Sequence, residues 1–231
     1  MKKIRDHDKL YLKSNRYKKP KESHKLLYKI LKKRISKNKN YELLDVGCAN
    51  GELLYFLSQK FSNIKFYGAD VRKDLINLAK KKLSQNIYLK QCDYNKKSLN
   101  KKFDIIICSG VISIFDKLDI FFKNIKNNLK KNSTLFLFST FNEYDYDVML
   151  SYKDMNSKIK NYQSGWNIWS LKTIKQNFKK KKITKYPFKI GFDVKKNKKD
   201  LVRVWTTKIN KKRHFTNALL TILNQMWLEI R

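Results

Sequence analysis

The chain has 231 residues, with 54 Lys and Arg against 19 Asp and Glu and a formal net charge of +35 at pH 7. That length suits one α/β domain with a small elaboration. No apolar run approaches the roughly 18 residues a membrane-spanning helix needs, which leaves a globular chain with no membrane span. Cys48, Cys92 and Cys108 are too few, and odd in number, for a disulfide framework, so each is expected as a small buried residue. The segment Met1 to Asp8 has no apolar signal core, and a cytoplasmic location is expected.

A basic excess of this size raises nucleic acid as a partner. The excess is mostly lysine, however, spread from Lys2 to Lys212 and accompanied by abundant Asn and Ile. That is the pattern of compositional drift. Dedicated phosphate or base contacts favour arginine forks. The field steers anions to the surface in either case, so a small anionic substrate ranks ahead of a polynucleotide.

In chain order, residues 1–20 read as a polar, basic arm carrying Tyr11 and Tyr17 and ending at Pro20. A helix follows over 23–35, with Leu26, Leu27, Ile30 and Leu31 on one face and Ser23 as its N-cap. Strand and helix signals then alternate: strand 41–46, helix 51–60, strand 64–70, a helix carrying Leu75, Ile76, Ala79 and Leu83, strand 87–92, strand 103–108, helix 118–129 and strand 134–139. The continuous apolar run at 103–108 suits a parallel strand covered on both faces, and the alternation predicts a doubly wound α/β fold. Residues 141–168 form an insertion rich in aromatics and acids. A helix begins near Ser170, strands are expected at 188–194 and 201–208 as a long hairpin, and the spacing of Phe215, Leu219, Ile222, Leu223, Met226 and Trp227 predicts an amphipathic C-terminal helix within 209–231, packed on the domain or across a homodimer. All of this is read as one domain over 1–231.

The run Leu43-Leu44-Asp45-Val46-Gly47-Cys48-Ala49-Asn50-Gly51 carries the most chemistry. An apolar strand ends in an acid, turns on glycine and starts a helix, which brings backbone to a bound small molecule. A dinucleotide site wants G-x-G-x-x-G, and a nucleoside-triphosphate loop ends in Gly-Lys-Ser/Thr. Neither is present, and G-x-x-x-G tolerates a compact adenosine-based ligand better than a pyrophosphate.

The run Asp45 to Gly51 resembles motif I of the class I S-adenosylmethionine-dependent methyltransferases. Asp70, closing Phe66-Tyr67-Gly68-Ala69-Asp70, matches that family's ribose-binding acid, Cys92-Asp93 its adenine-edge position, and Asp104 to Val111 its motif IV. The resemblance implies a Rossmann-like fold with a seven-stranded, mostly parallel sheet and an antiparallel last strand, with S-adenosyl-L-methionine as cofactor. It implies that Asp45, Gly47, Cys48, Ala49, Gly51, Asp70, Val71, Asp93, Tyr94, Ser109 and Gly110 bind that cofactor. Asp45 orients either the loop or the cofactor's amino group.

The acceptor side is less marked. The N/D-P-P-Y/F tetrapeptide of nucleic-acid amine methylases is replaced by Cys108-Ser109-Gly110-Val111, and His7, His24 and His214 are too scattered to suggest a metal site. The segments 141–147, Ser164-Gly165-Trp166-Asn167 and 203–208 resemble bacterial small-molecule methyltransferases associated with surface polysaccharide or nucleotide-sugar modification. A hydroxyl acceptor needs a base, and Asp145, Asp147 and His214 are the candidates. Tyr11, Tyr17, Asn142, Tyr144, Trp166 and Arg203 are candidates for holding a sugar-linked or otherwise anionic acceptor. An RNA methyltransferase and a cofactor-binding partner subunit are the competing expectations.

Overall fold

A computed structural model describes residues 10–156, 161–198 and 201–231; the first nine residues of the expected arm, and 199–200 of the expected hairpin loop, lie outside the described residues. The chain begins with α1 (Leu10–Lys13) and α2 (Glu22–Lys32). It then alternates through β1 (Tyr41–Val46), α3 (Glu52–Ser58), β2 (Ile64–Asp70), α4 (Lys73–Lys82), β3 (Tyr88–Gln91), β4 (Phe103–Ser109), α5 (Asp119–Asn127) and β5 (Leu129–Asn142). Short pieces β6 (Ser151–Tyr152), β7 (Gln163–Ser164) and β8 (Trp169–Ser170) precede α6 (Leu171–Asn177). The chain closes with β9 (Ile183–Pro187), β10 (Trp205–Ile209), β11 (Lys212–Thr216) and β12 (Gln225–Ile230).

Seven strands lie in the order β3-β2-β1-β4-β5-β12-β9, with β8 beside the end of β5. The first five are parallel to one another, and β12 runs antiparallel to both its neighbours. This is the expected Rossmann-like, class I methyltransferase sheet, with the last strand of the chain inserted between β5 and β9. The strand order reverses at β1/β4, so the C-terminal ends of these strands open the crevice where such sheets hold ligands. Alternate residues of the central strands feed two apolar layers: Leu44, Val46, Ile106 and Leu137 on one face, Leu43, Ile105, Ile107 and Phe136 on the other. Among the described residues no helix is long and apolar enough to cross a membrane.

The expected C-terminal helix is not there. Phe215 belongs to β11 and Met226 and Trp227 to β12, while Leu219, Ile222 and Leu223 lie in the connection between them, which turns at 217–220. Within β12, Met226, Leu228 and Ile230 enter one core layer and Trp227 the other. A strand buried on both faces reads as a dense apolar run, and such a run can satisfy helical spacing by accident. Its one acid, Glu229, is fully buried, accepts a hydrogen bond from the Tyr186 hydroxyl (2.8 Å), and pairs with Arg34 (3.0 Å) and Arg231 (3.3 Å).

The expected strands at 188–194 and 201–208 are displaced as well. The sixth sheet strand is β9, and β10 pairs with β11 in a separate two-stranded ribbon. Phe188 and Phe215 stack with parallel rings 5.4 Å apart and fasten this ribbon near the end of β5, where Phe138 meets Phe188 edge-on at 5.5 Å. Ser23 does not cap α2. Lys21 is the N-cap residue, and the Ser23 carbonyl accepts from Trp227 Nε1 at 3.0 Å.

Candidate functional site

At the β1/β4 reversal the glycine loop is held by β2. Gly47 N–H and Cys48 N–H both donate to Ala69 O (2.7 and 3.1 Å), and Ala49 N–H donates to Asp70 Oδ2 (2.9 Å). The sequence predicted these donors for a ligand. They are instead spent inside the protein, so the loop offers no cradle for a phosphate. Gly47 has φ +76°, and a Cβ there would overlap Val111 Cγ2. Ala49, where the dinucleotide pattern has its middle glycine, also sits at positive φ (49°). The turn thus brings its surface, not its amides, close to the neighbouring space.

That space is a cavity of about 180 Å³ lined by the glycine loop, Asp45, Asp70, Asp93 and the start of the loop after β4. Asp70, at the end of β2, accepts from Ala49 N–H and, through Oδ1, from Arg72 N–H (2.9 Å). A carboxylate is an acceptor only, which is what a ligand hydroxyl needs. Asp93 Oδ1 takes Asn95 N–H (2.9 Å), which fixes the turn after β3 with the acid at the cavity edge. Tyr94 is buried against Phe121, and its hydroxyl donates to Asn128 Oδ1 (2.8 Å), so it acts as a wall. Val71 lines the rim.

Asp45 is the electrostatic centre of this cavity. It is only 2 % exposed, and its Oδ1 has no hydrogen-bond partner among the described residues. Burial first, and then the nearby Asp70 charge, push its pKa up to about 8. Lys21 and His24 face it from α2 and its N-cap. Burial lowers the Lys21 pKa, opposed by Glu52 and Asp45 and reinforced by Arg16 and Arg203. His24, 4 % exposed, is held neutral by burial and by the positive charge of Lys21 and Arg16.

A buried, unpaired acid oxygen wants a cation. A pair of acids at the next two strand ends wants hydroxyl and amine donors. S-adenosyl-L-methionine offers an ammonium, a ribose diol and an adenine amine in that order, so the residues present fit it. Asp45 would face the amino group, Asp70 the ribose and Asp93 the adenine edge. Its chemistry there would be donation of a methyl group from a sulfonium.

A model of the methyltransferase domain family matches residues 37–202. The chain belongs to this family. It is a class I S-adenosylmethionine-dependent methyltransferase by fold and family. The chain is 27 % identical over 161 residues to the malonyl-[acyl-carrier protein] O-methyltransferase of Priestia megaterium, covering 67 % of this chain and 58 % of that protein. It is 32 % identical over 102 residues to the ubiquinone biosynthesis O-methyltransferase of Pelagibacter ubique, covering 43 % and 42 %. The chain thus spans about half the length of the curated relatives it matches. The fold is similar to a methyltransferase from Clostridium acetobutylicum (TM-score 0.55, 18 % identity, 97 % and 95 % coverage). It is also similar to coclaurine N-methyltransferase bound to N-methylheliamine and S-adenosylhomocysteine (TM-score 0.60, 13 % identity, 81 % and 61 % coverage).

A second cavity, about 470 Å³, adjoins the first, and the two share Tyr11, Lys21, Ser109 and Gly110. Gly110 has φ +74° and open space where a Cβ would point. The walls of this methyltransferase's second cavity come from distant parts of the chain: Arg16 from the arm, Phe138 from β5, Trp166 from the insertion, Phe188, Arg203 and Phe215 from the C-terminal layer. A third, open depression lies at the opposite end of the sheet, where Lys130 bridges Glu42 (3.2 Å) and Asp104 (2.8 Å).

The arm is latched to the start of α3. Ser14 Oγ and Arg16 N–H both donate to Glu52 Oε1 (2.7 Å each), Asn50 Nδ2 donates to Ser14 O (3.1 Å), and the Tyr17 hydroxyl donates to Asn50 O (2.7 Å). Tyr17 is therefore a strut, with burial pushing its pKa up to about 12, while Tyr11 faces both cavities.

Of the expected acceptor residues, Tyr11, Trp166 and Arg203 come together around the second cavity. The expected bases do not reach either cavity. Asp147 braces Ser170, the N-cap of α6, accepting from Ser170 N–H and the Thr173 hydroxyl (2.6 Å each); Asp145 pairs with Lys172 at the surface (2.9 Å); His214 lies on β11 opposite Thr207. Asn142 closes a local turn with Tyr144 N–H and Tyr146 O, and Tyr144 is 77 % exposed. Arg16, Lys21, His24 and Phe188 were missed. Nothing near them forms a motif, and only the placement of α2 and the arm brings them in.

Proposed function

We propose that this chain transfers a methyl group from S-adenosyl-L-methionine to an oxygen of a small anionic acceptor held in the second cavity. The observation that carries this reading is the meeting of the two cavities at Tyr11, Lys21, Ser109 and Gly110, with Arg16 and Arg203 in the acceptor wall. A methyl donor seated between Asp45 and Asp93 would present its sulfonium towards this neck. Holding an acceptor in line there supplies much of the catalysis such a transfer needs. Curated relatives named as O-methyltransferases support oxygen as the receiving atom.

Sugar-linked acceptors bearing a phosphate or carboxylate fall within this class, and Trp166 and Phe188 offer faces on which a ring can stack. RNA is the second reading, favoured by the +35 charge. A cavity whose walls mix aromatic and aliphatic side chains with polar ones favours the small molecule. The test is a labelled-methyl transfer screen against carboxylic acids, sugar nucleotides and total RNA. Label entering small molecules is expected, and label confined to RNA would overturn the proposal.

A further inference from the structure

Resting on that reading, we infer that the methyl-accepting group is a carboxylate on an apolar body, and that the product is a methyl ester. The second cavity is lined by both cations and phenyl rings. Lys21 stands at the neck, its ammonium 5.5 Å from the Tyr11 ring centre, and feels the charges of Arg16 and Arg203, which line the same cavity. The other walls include Phe138, Phe188, Ile190, Phe192 and Phe215. Glu22 is the one carboxylate among the residues that line this cavity, and it is paired with Lys25 at 2.6 Å. A ligand that satisfies both puts its anion beside Lys21 at the neck, where the methyl would arrive, and its apolar body among the phenyl rings.

An anion at the neck is itself the nucleophile. One carboxylate oxygen forms the new O–CH₃ bond as the S–CH₃ bond breaks and its electron pair returns to sulfur. The negative charge of the acceptor and the positive charge of the sulfonium cancel, leaving a neutral ester and S-adenosylhomocysteine. No proton is released, so no general base is required. This accounts for a neck with cations but without Asp145, Asp147 or His214. It also gives product release a cause, because the ester no longer pairs with Lys21, Arg16 and Arg203.

The test supplies methyl-tritiated cofactor with octanoate, decanoate and 4-hydroxyphenylacetate as defined probes, beside a small-molecule extract of bacterial cells. Labelled product is then treated with mild alkali. A methyl ester releases volatile labelled methanol, whereas methyl ethers and N-methyl groups keep the label. Alkali-labile product is expected. Arg203→Ala should raise the acceptor KM roughly ten- to a hundredfold, Arg203→Lys should restore part of it, and binding of S-adenosylhomocysteine should stay unchanged in both, which shows that the fold is intact. Alkali-stable label in small molecules would overturn the carboxylate while leaving the small-molecule reading standing. No label in any small molecule, with S-adenosylhomocysteine bound normally, would overturn both.

Discussion

The sheet from β1 to β5 and the layer that covers its C-terminal edge build their sites in opposite ways. In the first, the acids and the serine that line the cavity stand at, or within two residues of, the ends of strands: Asp45, Asp70, Asp93 and Ser109. In the second, the walls are contributed by residues up to two hundred positions apart, from Arg16 to Phe215. A site made at strand ends follows from the fold alone. A site made by layers needs the packing of every layer, so the cofactor is legible early and the acceptor late.

The sharpest break between the two regions is Asp70→Ala. It removes a carboxylate that holds Ala49 N–H and would face the ribose of the bound cofactor. Binding of S-adenosylhomocysteine, measured by calorimetry, should weaken roughly a hundredfold or more, since charged hydrogen bonds contribute about 1.5–3 kcal/mol each.

Asp45 gives the next effect. With its pKa raised to about 8, it is largely protonated at pH 7 in the free protein. Binding a cationic amino group needs the charged form, so affinity should climb by about fiftyfold from pH 6 to 8 and level above that. Asp45→Asn should flatten that profile. Without ligand the same shift makes folding stability fall as pH rises from the ordinary carboxylate range to about 8, because the folded state keeps a proton that the unfolded chain has lost.

A smaller cost is expected from Gly47→Ala. The left-handed backbone costs a Cβ-bearing residue about 1–2 kcal/mol, and the overlap with Val111 adds to it. Pairing it with Val111→Ala should relieve the overlap but not the backbone strain, so the melting temperature should recover only in part.

The smallest effect marks the boundary of the site. Asp147→Asn disturbs the cap of α6 and should lower stability by about 1 kcal/mol. Turnover measured well below the melting temperature should stay within about twofold. A loss of turnover far beyond that would restore Asp147 as the base that the sequence suggested.

Particular residues show why the cofactor half could be read without the structure. Leu43 to Gly51 states strand, acid and turn within nine positions, β2 ends in Asp70, and Asp93 follows two residues after β3. The order β3-β2-β1-β4-β5 follows from the alternation of strand and helix. Beyond β5 the signals conflict. Trp227 and Met226 satisfy helical spacing with Phe215 and Leu219, yet β12 buries both faces of a strand. Asp145 and Asp147 look like bases because acids are rare in so basic a chain, but a helix start and a surface lysine use them. Lys21 looks like one lysine among many. Only the return of the arm over α3 and the position of α2 set it between two cavities.

The central claim is that the donor and acceptor cavities meet at Ser109, Gly110 and Lys21. A crystal structure with S-adenosylhomocysteine tests it most directly. The account predicts the ribose on Asp70 and the sulfur at the neck, facing the space between Lys21 and Gly110 and open to the cavity that holds Trp166 and Arg203. A sulfur turned away from that neck, or a neck closed by protein with the cofactor in place, would contradict it.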